Sequence, residues 1–204
     1  LVNITDGELA GQQLQLNGSG SLANLAITAS AKGPLQAQLD ANLDLLSEAL
    51  THQLQFTSDT LLWPLPKATA NTETALRVNE AQVNLSGSLA HTDISGRFNI
   101  SSLQAPDTAV EFNGQADYHS LKLNKLQFNT LGGHIRSALT LDWRQDLTWQ
   151  SQTQLHAIKP GLFWPDYPGE LNGSLQHQGV VSETGPWQLS VTALDISGTL
   201  RDYV

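Results

Sequence analysis

The stretch Leu121–Trp143 reads LKLNKLQFNTLGGHIRSALTLDW, and its alternation decides the fold. Apolar and polar residues trade places two by two on either side of Gly132-Gly133. Period-two alternation puts successive side chains on opposite faces of an extended strand. A Gly-Gly pair between two such runs predicts a tight two-residue hairpin turn. The stretch therefore predicts two antiparallel strands, Leu121–Leu131 and His134–Trp143, with one apolar and one polar face.

The same habit runs outward in both directions. It predicts strands at Leu14–Leu22, Leu25–Ala31, Leu35–Leu45, His52–Ser58, Leu76–Leu89, Thr92–Ile100 and Ala109–Tyr118, then at Leu147–Ile158, Gly169–Gly179 and Trp187–Leu200. Leu61–Pro66, LLWPLP, reads as an edge or crossing segment, because proline cannot donate to a ladder. Leu45–Leu50 is the one candidate helical turn, Thr69–Thr74 a polar connector, and Lys159–Pro168 a proline and aromatic excursion. Short turns between strands predict antiparallel meander neighbours. The expected fold is all-β: an elongated meander forming one continuous segment over 1–204, with a sub-boundary near 67–74. The chain lacks Met and opens in mid-pattern at Leu1, so it reads as a fragment of a longer protein.

A short motif recurs: LNGSG at Leu16, LSGSL at Leu85, ISGRF at Ile94, FNGQA at Phe112, LNGSL at Leu171 and ISGTL at Ile196. Its glycines (Gly18, Gly87, Gly96, Gly114, Gly173 and Gly198) share the parity of their apolar neighbours. Each is expected on the apolar face, marking either a bulge or a close approach of the opposite wall. The apolar phase also slips between Leu123 and Leu126 and at Ala193-Leu194, which predicts bulges there.

Charged residues are only 14% of the chain and the net charge is −9, so no basic patch exists for nucleic acid or an anionic membrane surface. The absence of cysteine removes structural disulfides and thiolate zinc sites. No stretch has the pattern of a signal peptide or a membrane span. The six histidines, His52, His91, His119, His134, His156 and His177, show no metal-ligand spacing and read as surface residues. Asp142 near Asp146, and Asp166 near Glu170, are the closest approach to an acid–base pair, and their context is turn chemistry. No nucleophile elbow, phosphate loop or dinucleotide fingerprint occurs. The expectation is a protein that is not an enzyme and holds no metal or cofactor.

What remains is the apolar face. Its inward set includes Val83, Leu85, Phe98 and Ile100, then Val110, Phe112, Leu121, Leu123, Leu126 and Phe128, then Leu139, Leu141, Trp143, Trp149, Leu171, Leu175, Leu189 and Val191. Two architectures satisfy the pattern. A β-sandwich would bury these residues between two sheets. A folded-over sheet would leave an open apolar trough, with Trp63, Phe163, Trp164 and Tyr167 as rim or lid elements. About a dozen strands ~4.8 Å apart would stack to roughly 60 Å, room for more than one acyl chain.

The run LQFNTLGGHIRSALTLDW (Leu126–Trp143), followed by LTWQSQTQLHAIKPGLFWPDYPGELNGSLQHQG (Leu147–Gly179), resembles the TamB family. LLWPL at Leu61–Leu65 and the repeated LSG and LNG strands are similar to the same family. The resemblance covers most of Leu61–Leu200, while Leu1–Thr60 fits by pattern. It implies a β-taco, a sheet folded into a half-pipe with an apolar concave interior, of the AsmA-like and bridge-like lipid transfer kind. It further implies a periplasmic segment from the middle of a rod whose parent is anchored in the inner membrane. The implied partners are phospholipid acyl chains, held by the inward residues, and the outer-membrane barrel TamA through a region outside this chain. Three functions compete on this basis: a phospholipid conduit, a chaperone surface for outer-membrane β-strands, and a structural β-rod with a closed core.

Overall fold

The structure is a computed structural model, and it describes residues 2–3, 11–33, 35–63, 76–182 and 185–201. The chain divides into two compact units, Leu1–Asp107 and Thr108–Val204. Within each unit, strand order follows chain order. The first holds β1 (Val2–Asn3), β2 (Gln13–Ser21), β3 (Asn24–Lys32), β4 (Gln36–Leu43), β5 (His52–Trp63), β6 (Leu76–Ser88) and β7 (His91–Ser102). β8 (Ala105–Ala116) leads into the second, which continues with β9 (Ser120–Thr130), β10 (Gly133–Asp142), β11 (Leu147–Ile158), β12 (Gly169–Val181) and β13 (Gln188–Leu200). Within each unit, chain neighbours pair antiparallel, as alternation and short turns predict.

Four local expectations need correction. Leu61–Trp63 belongs to β5, paired with Leu76–Val78, rather than to a separate crossing segment. Pro64–Pro66, the connector Thr69–Thr74 and the boundary near 67–74 lie outside the described residues. Leu45–Leu50 forms no helix: the Asp44 carboxylate accepts from the N–H groups of Leu46 and Ser47, folding the segment as a turn. Among the described residues a short 3-10 turn is instead at Pro160–Leu162, where proline pre-sets φ. The β9–β10 hairpin turns one residue earlier than expected. Thr130 pairs with Gly133, so the two loop residues are Leu131 and Gly132, with φ of 52° and 75°. Two positive φ values in a two-residue loop make the tight turn that matches strand twist.

Bulges set the phase of the strands. β9 carries one extra residue against both neighbours, since Gly114 pairs with Leu123 but Asn113 with Lys125, and Leu139 with Leu123 but Ser137 with Leu126. β13 carries another: Gln176 pairs with Ala193 but His177 with Val191. Both lie where the apolar phase slips in the sequence. Further bulges lie in β5 after Thr57, in β6 at Glu80 (φ 53°) and in β11 at Ala157 (φ 50°). The β5 and β6 bulges match, so the register between those two strands is unbroken.

Five of the six motif glycines fall in register with apolar residues, and Gly87 pairs with His52 and Thr92. A Cβ at Gly18 would meet nothing within 4 Å, and at the crowded positions the cause differs from the expectation. A Cβ at Gly114 would meet the carbonyl oxygen of Lys122, and one at Gly198 that of Glu170. The close neighbour is the hydrogen-bonded strand alongside, not an opposite wall, and Gly114 faces the β9 bulge rather than forming one.

Candidate functional site

Residues in register across strands share a face, so each unit can be read as rows running across its strands. In the second unit one row is Ala116, Leu121, Leu141, Trp149, Gly179 and Leu189. The next is Gly114, Leu123, Leu139, Ser151, His177 and Val191, followed by Phe112, Leu126, Ser137, Thr153, Leu175 and Leu194. Then come Val110, Phe128, Ile135, Leu155, Gly173 and Ile196, and beyond the β11 bulge Ile158, Leu171 and Gly198. Each bulge inserts a residue where the rows would otherwise change face. Leu123 and Leu126 therefore point the same way despite opposite parity.

The first unit is built alike. One row is Leu16, Ala29, Leu39, Phe56, Val83 and Gly96, and the next is Gly18, Ile27, Ala41, Leu54, Leu85 and Ile94. Val78 pairs with Ile100 beyond the β6 bulge. Thus Val83, Leu85, Phe98 and Ile100 share one face in the first unit. The other expected residues share one face in the second, except Trp143. It sits past the end of β10 in the turn, where its N–H donates to the His119 carbonyl at 2.9 Å and its indole N–H to the Tyr118 carbonyl at 3.0 Å. Leu25, Ile27, Leu39, Leu54, Phe56 and Ile135 are equally part of these faces, by the same parity, and lie outside the expected set.

These faces are covered only in part. Among the described residues the buried hydrophobic set is only Ala41, Ala81, Val110, Leu123 and Ile158. Leu194 and Ile196 are each 62% exposed, and Leu16 is 72% exposed. A two-sheet sandwich of this length would bury most inward alternates. Within neither unit does a second sheet do so. Surface depressions of about 460 and 540 Å³ lie on the other face, between ridges of Gln150, Gln152, Gln176 and Gln178. The apolar rows are bare on β2 and β13, which are exposed on both faces, and half-buried or buried on the strands between.

Two histidines sit on the apolar faces, contrary to the surface reading. His52 pairs with Gly87, and its Nε2 lies 3.1 Å from the Thr92 hydroxyl. His177 pairs with Ser151, and its Nδ1 accepts the Trp149 indole N–H at 3.2 Å. The Trp149 ring lies over Gly179, where a Cβ would meet it. On the polar face His134 and His156 are directly opposed with ring centroids 5.0 Å apart, a pairing that sequence spacing hides. Partial desolvation, Arg136 and His156 together hold His134 below the ordinary imidazole pKa. No group of three or more His, Cys, Asp or Glu that could hold a metal occurs among the described residues.

The candidate acid pairs are engaged in turns and ion pairs. Asp142 is tied to Arg144 at 2.5 Å, which holds its carboxyl below the ordinary value, and Glu170 faces Lys159 at 3.6 Å. The Lys159–Pro168 excursion lies at strand ends, its Lys159 N–H donating to the Leu131 carbonyl. There Phe163 and Trp164 meet edge to face, and Arg201 lies over the Tyr167 ring. No helix among the described residues is long and apolar enough to cross a membrane.

Comparison with known proteins is consistent with this architecture. No solved structure matches the chain. It is 27% identical over 202 residues to the Translocation and assembly module subunit TamB of Haemophilus influenzae, an alignment covering 96% of this chain and 15% of that protein. The chain thus spans about 15% of the length of that relative. The match extends through the amino-terminal third, where the resemblance rested on pattern. The family model described as TamB, N-terminal domain, matches residues 2–204, and the chain belongs to the TamB family.

Proposed function

We propose that this chain is a periplasmic segment of a bridge-like phospholipid transport protein, and that its apolar faces hold acyl chains between the inner and outer membranes. The observation that carries this is the one-sidedness of each unit: rows of apolar residues stay in phase across five bulges, and few of them are fully buried. A dry structural rod would have no use for an exposed greasy face, since covering each Leu or Ile would gain about 1.5–3 kcal/mol. The six strands β8–β13, ~4.8 Å apart, span about 24 Å, more than the ~15 Å depth of one leaflet's hydrocarbon. Each methylene taken from water contributes about 0.8 kcal/mol, so one chain lying on these rows is held by apolar contact alone. In this reading the parent protein is anchored in the inner membrane and works with TamA through a region outside this chain. The test is a photoreactive residue at Leu141 or Phe112 in the purified chain. Crosslinked phospholipid is expected, and its absence together with no co-purifying lipid overturns the reading.

A second reading has its own support. β13 is exposed along both faces, and the relative's name speaks of translocation and assembly. β13 is also last in the strand order, so its outer backbone edge suits addition of a client β-strand. Crosslinks from β13 to an outer-membrane barrel precursor, rather than to lipid, would favour a chaperone role.

A further inference from the structure

The two middle rows of the second unit are interrupted by polar side chains. Ser137 pairs with Thr153 across β10 and β11, and Ser151 pairs with His177 across β11 and β12. The three hydroxyls form a closed triangle: Ser137 Oγ is 2.9 Å from both Ser151 Oγ and Thr153 Oγ1, and those two are 3.3 Å apart. Ser151 is only 7% exposed. The rows on either side carry Leu141 and Trp149, or Ile135 and Leu155, with no hydroxyl at these strands. The middle rows of the first unit carry none at all. Its hydroxyls lie in the rows beyond, where Ser58 and Thr92 are as buried as Ser151 and each donates to a backbone carbonyl, of Gln36 and Ser88.

Such a cluster is unneeded if only hydrocarbon lies on this face. A hydroxyl among apolar side chains costs free energy unless bonded, and apolar residues of similar size would serve an alkane better. Three hydroxyls bonded to one another are satisfied in the empty state, yet each O–H rotates freely toward an incoming acceptor. His177 adds a donor. Its Nδ1 accepts from Trp149, so the neutral ring carries its proton on Nε2. Small side chains at Ser137, Ser151 and Gly173 also leave the floor low, with Leu139, Leu175 and Val191 around it.

We propose that Ser137, Ser151, Thr153 and His177 seat the oxygen-rich head of an amphiphile, a phosphodiester or ester group, while its chain lies on the flanking apolar rows. The seat rests on the lipid reading above. It makes this part of the face a station that recognises a headgroup, where the buried hydroxyls of the first unit stand singly, each tied to a backbone carbonyl.

The experiment compares two probes on the purified chain: diphenylhexatriene, which has no polar head, and a phosphatidylethanolamine labelled on its acyl chain. Combining Ser137→Ala, Ser151→Ala and Thr153→Val is expected to weaken phosphatidylethanolamine binding about tenfold, about 1.4 kcal/mol. Diphenylhexatriene binding should stay within about twofold. Equal retention of both probes by the triple variant overturns the seat and leaves the lipid reading standing. Failure of the unaltered chain to bind either probe overturns both. A measurement without substitution guards against misfolding: phosphatidylethanolamine with a photoreactive head should label Leu139 and Val191 beside the seat. Labelling spread evenly over both units contradicts the seat.

Discussion

At the residue scale, the partly covered face makes a sharp claim about what single truncations cost. Val110 and Leu194 both belong to apolar rows of the second unit, but Val110 is 4% exposed and Leu194 is 62% exposed. Val110→Ala should cost about 1–2 kcal/mol, the loss for a buried aliphatic group. Leu194→Ala, although it removes more atoms, should stay within about 0.5 kcal/mol, as surface changes do. Urea unfolding of the two variants checks this, and a cost of about 2–5 kcal/mol at Leu194 would mean that something covers the face. Gly114→Val is the converse case. Its Cβ would fall on the Lys122 carbonyl of the neighbouring strand, so a loss of about 1–3 kcal/mol is expected in the same assay. Much of this scale was legible in the sequence. The parity of Gly114 and its relatives gave their face, but parity says nothing of which atoms lie near. The parity of His177 was equally plain, in phase with Leu175 and Gly179. Assigning it to the surface followed residue type over position.

At the element scale, the bulges carry the argument. Two were legible because apolar residues flank them closely, Leu123 with Leu126 and Val191 with Leu194. The β5 and β6 bulges also shift the apolar phase, from Phe56 to Leu61 and from Val78 to Val83. Polar residues fill those gaps, so the shift reads as a strand end. Deleting Gln127, outside the bulge, should therefore be severe. It would turn either Phe128 or Leu121, Leu123 and Leu126 onto the polar face. A loss above about 3 kcal/mol is expected in urea unfolding, whereas deleting Asn124, the extra residue itself, leaves Leu121, Leu123, Leu126 and Phe128 in strict alternation and should cost far less. The turns and ladders also set the acid response. Asp117 is held below its ordinary pKa of 3.8 by the His119 N–H and the Ser120 hydroxyl, and Asp142 by Arg144. A depressed folded-state pKa adds stability above the unfolded value and loses it as pH falls through the folded one. His134, depressed from 6.5, behaves alike at higher pH: its contribution is lost as pH drops below 6.5. Stability should thus fall in two windows, the first below pH 6.5 and the second below 3.8. His134→Asn should remove the upper window's share from this residue, and NMR titration of the ring should place its midpoint below that of a free imidazole.

At the scale of the whole molecule, the chain departs from an ordinary β domain in where it puts its hydrophobic surface. Alternation made the strands and meander legible. It could not distinguish two covered sheets from one uncovered sheet, because both demand the same pattern along each strand. Only exposure separates them, and exposure depends on whether a second layer exists in space. Under the proposed lipid reading, stability and transport can be separated by substitution. Leu141 lies in the row with Leu121 and Trp149 and is only partly buried. An arginine there can lay its stem along the apolar row and lift its charge toward water, so the strand survives. An acyl chain crossing the same row would have to strip water from that charge or leave the surface. Leu141→Arg in the parent protein should therefore abolish lipid transfer while lowering the chain's melting temperature by only a few degrees. Transfer of labelled phospholipid between vesicles, read beside thermal unfolding, measures both. If Leu126→Arg is added and transfer still proceeds at the unaltered rate, acyl chains do not travel along this face. The exposed rows would then serve a protein client, and crosslinking from β13 becomes the deciding measurement.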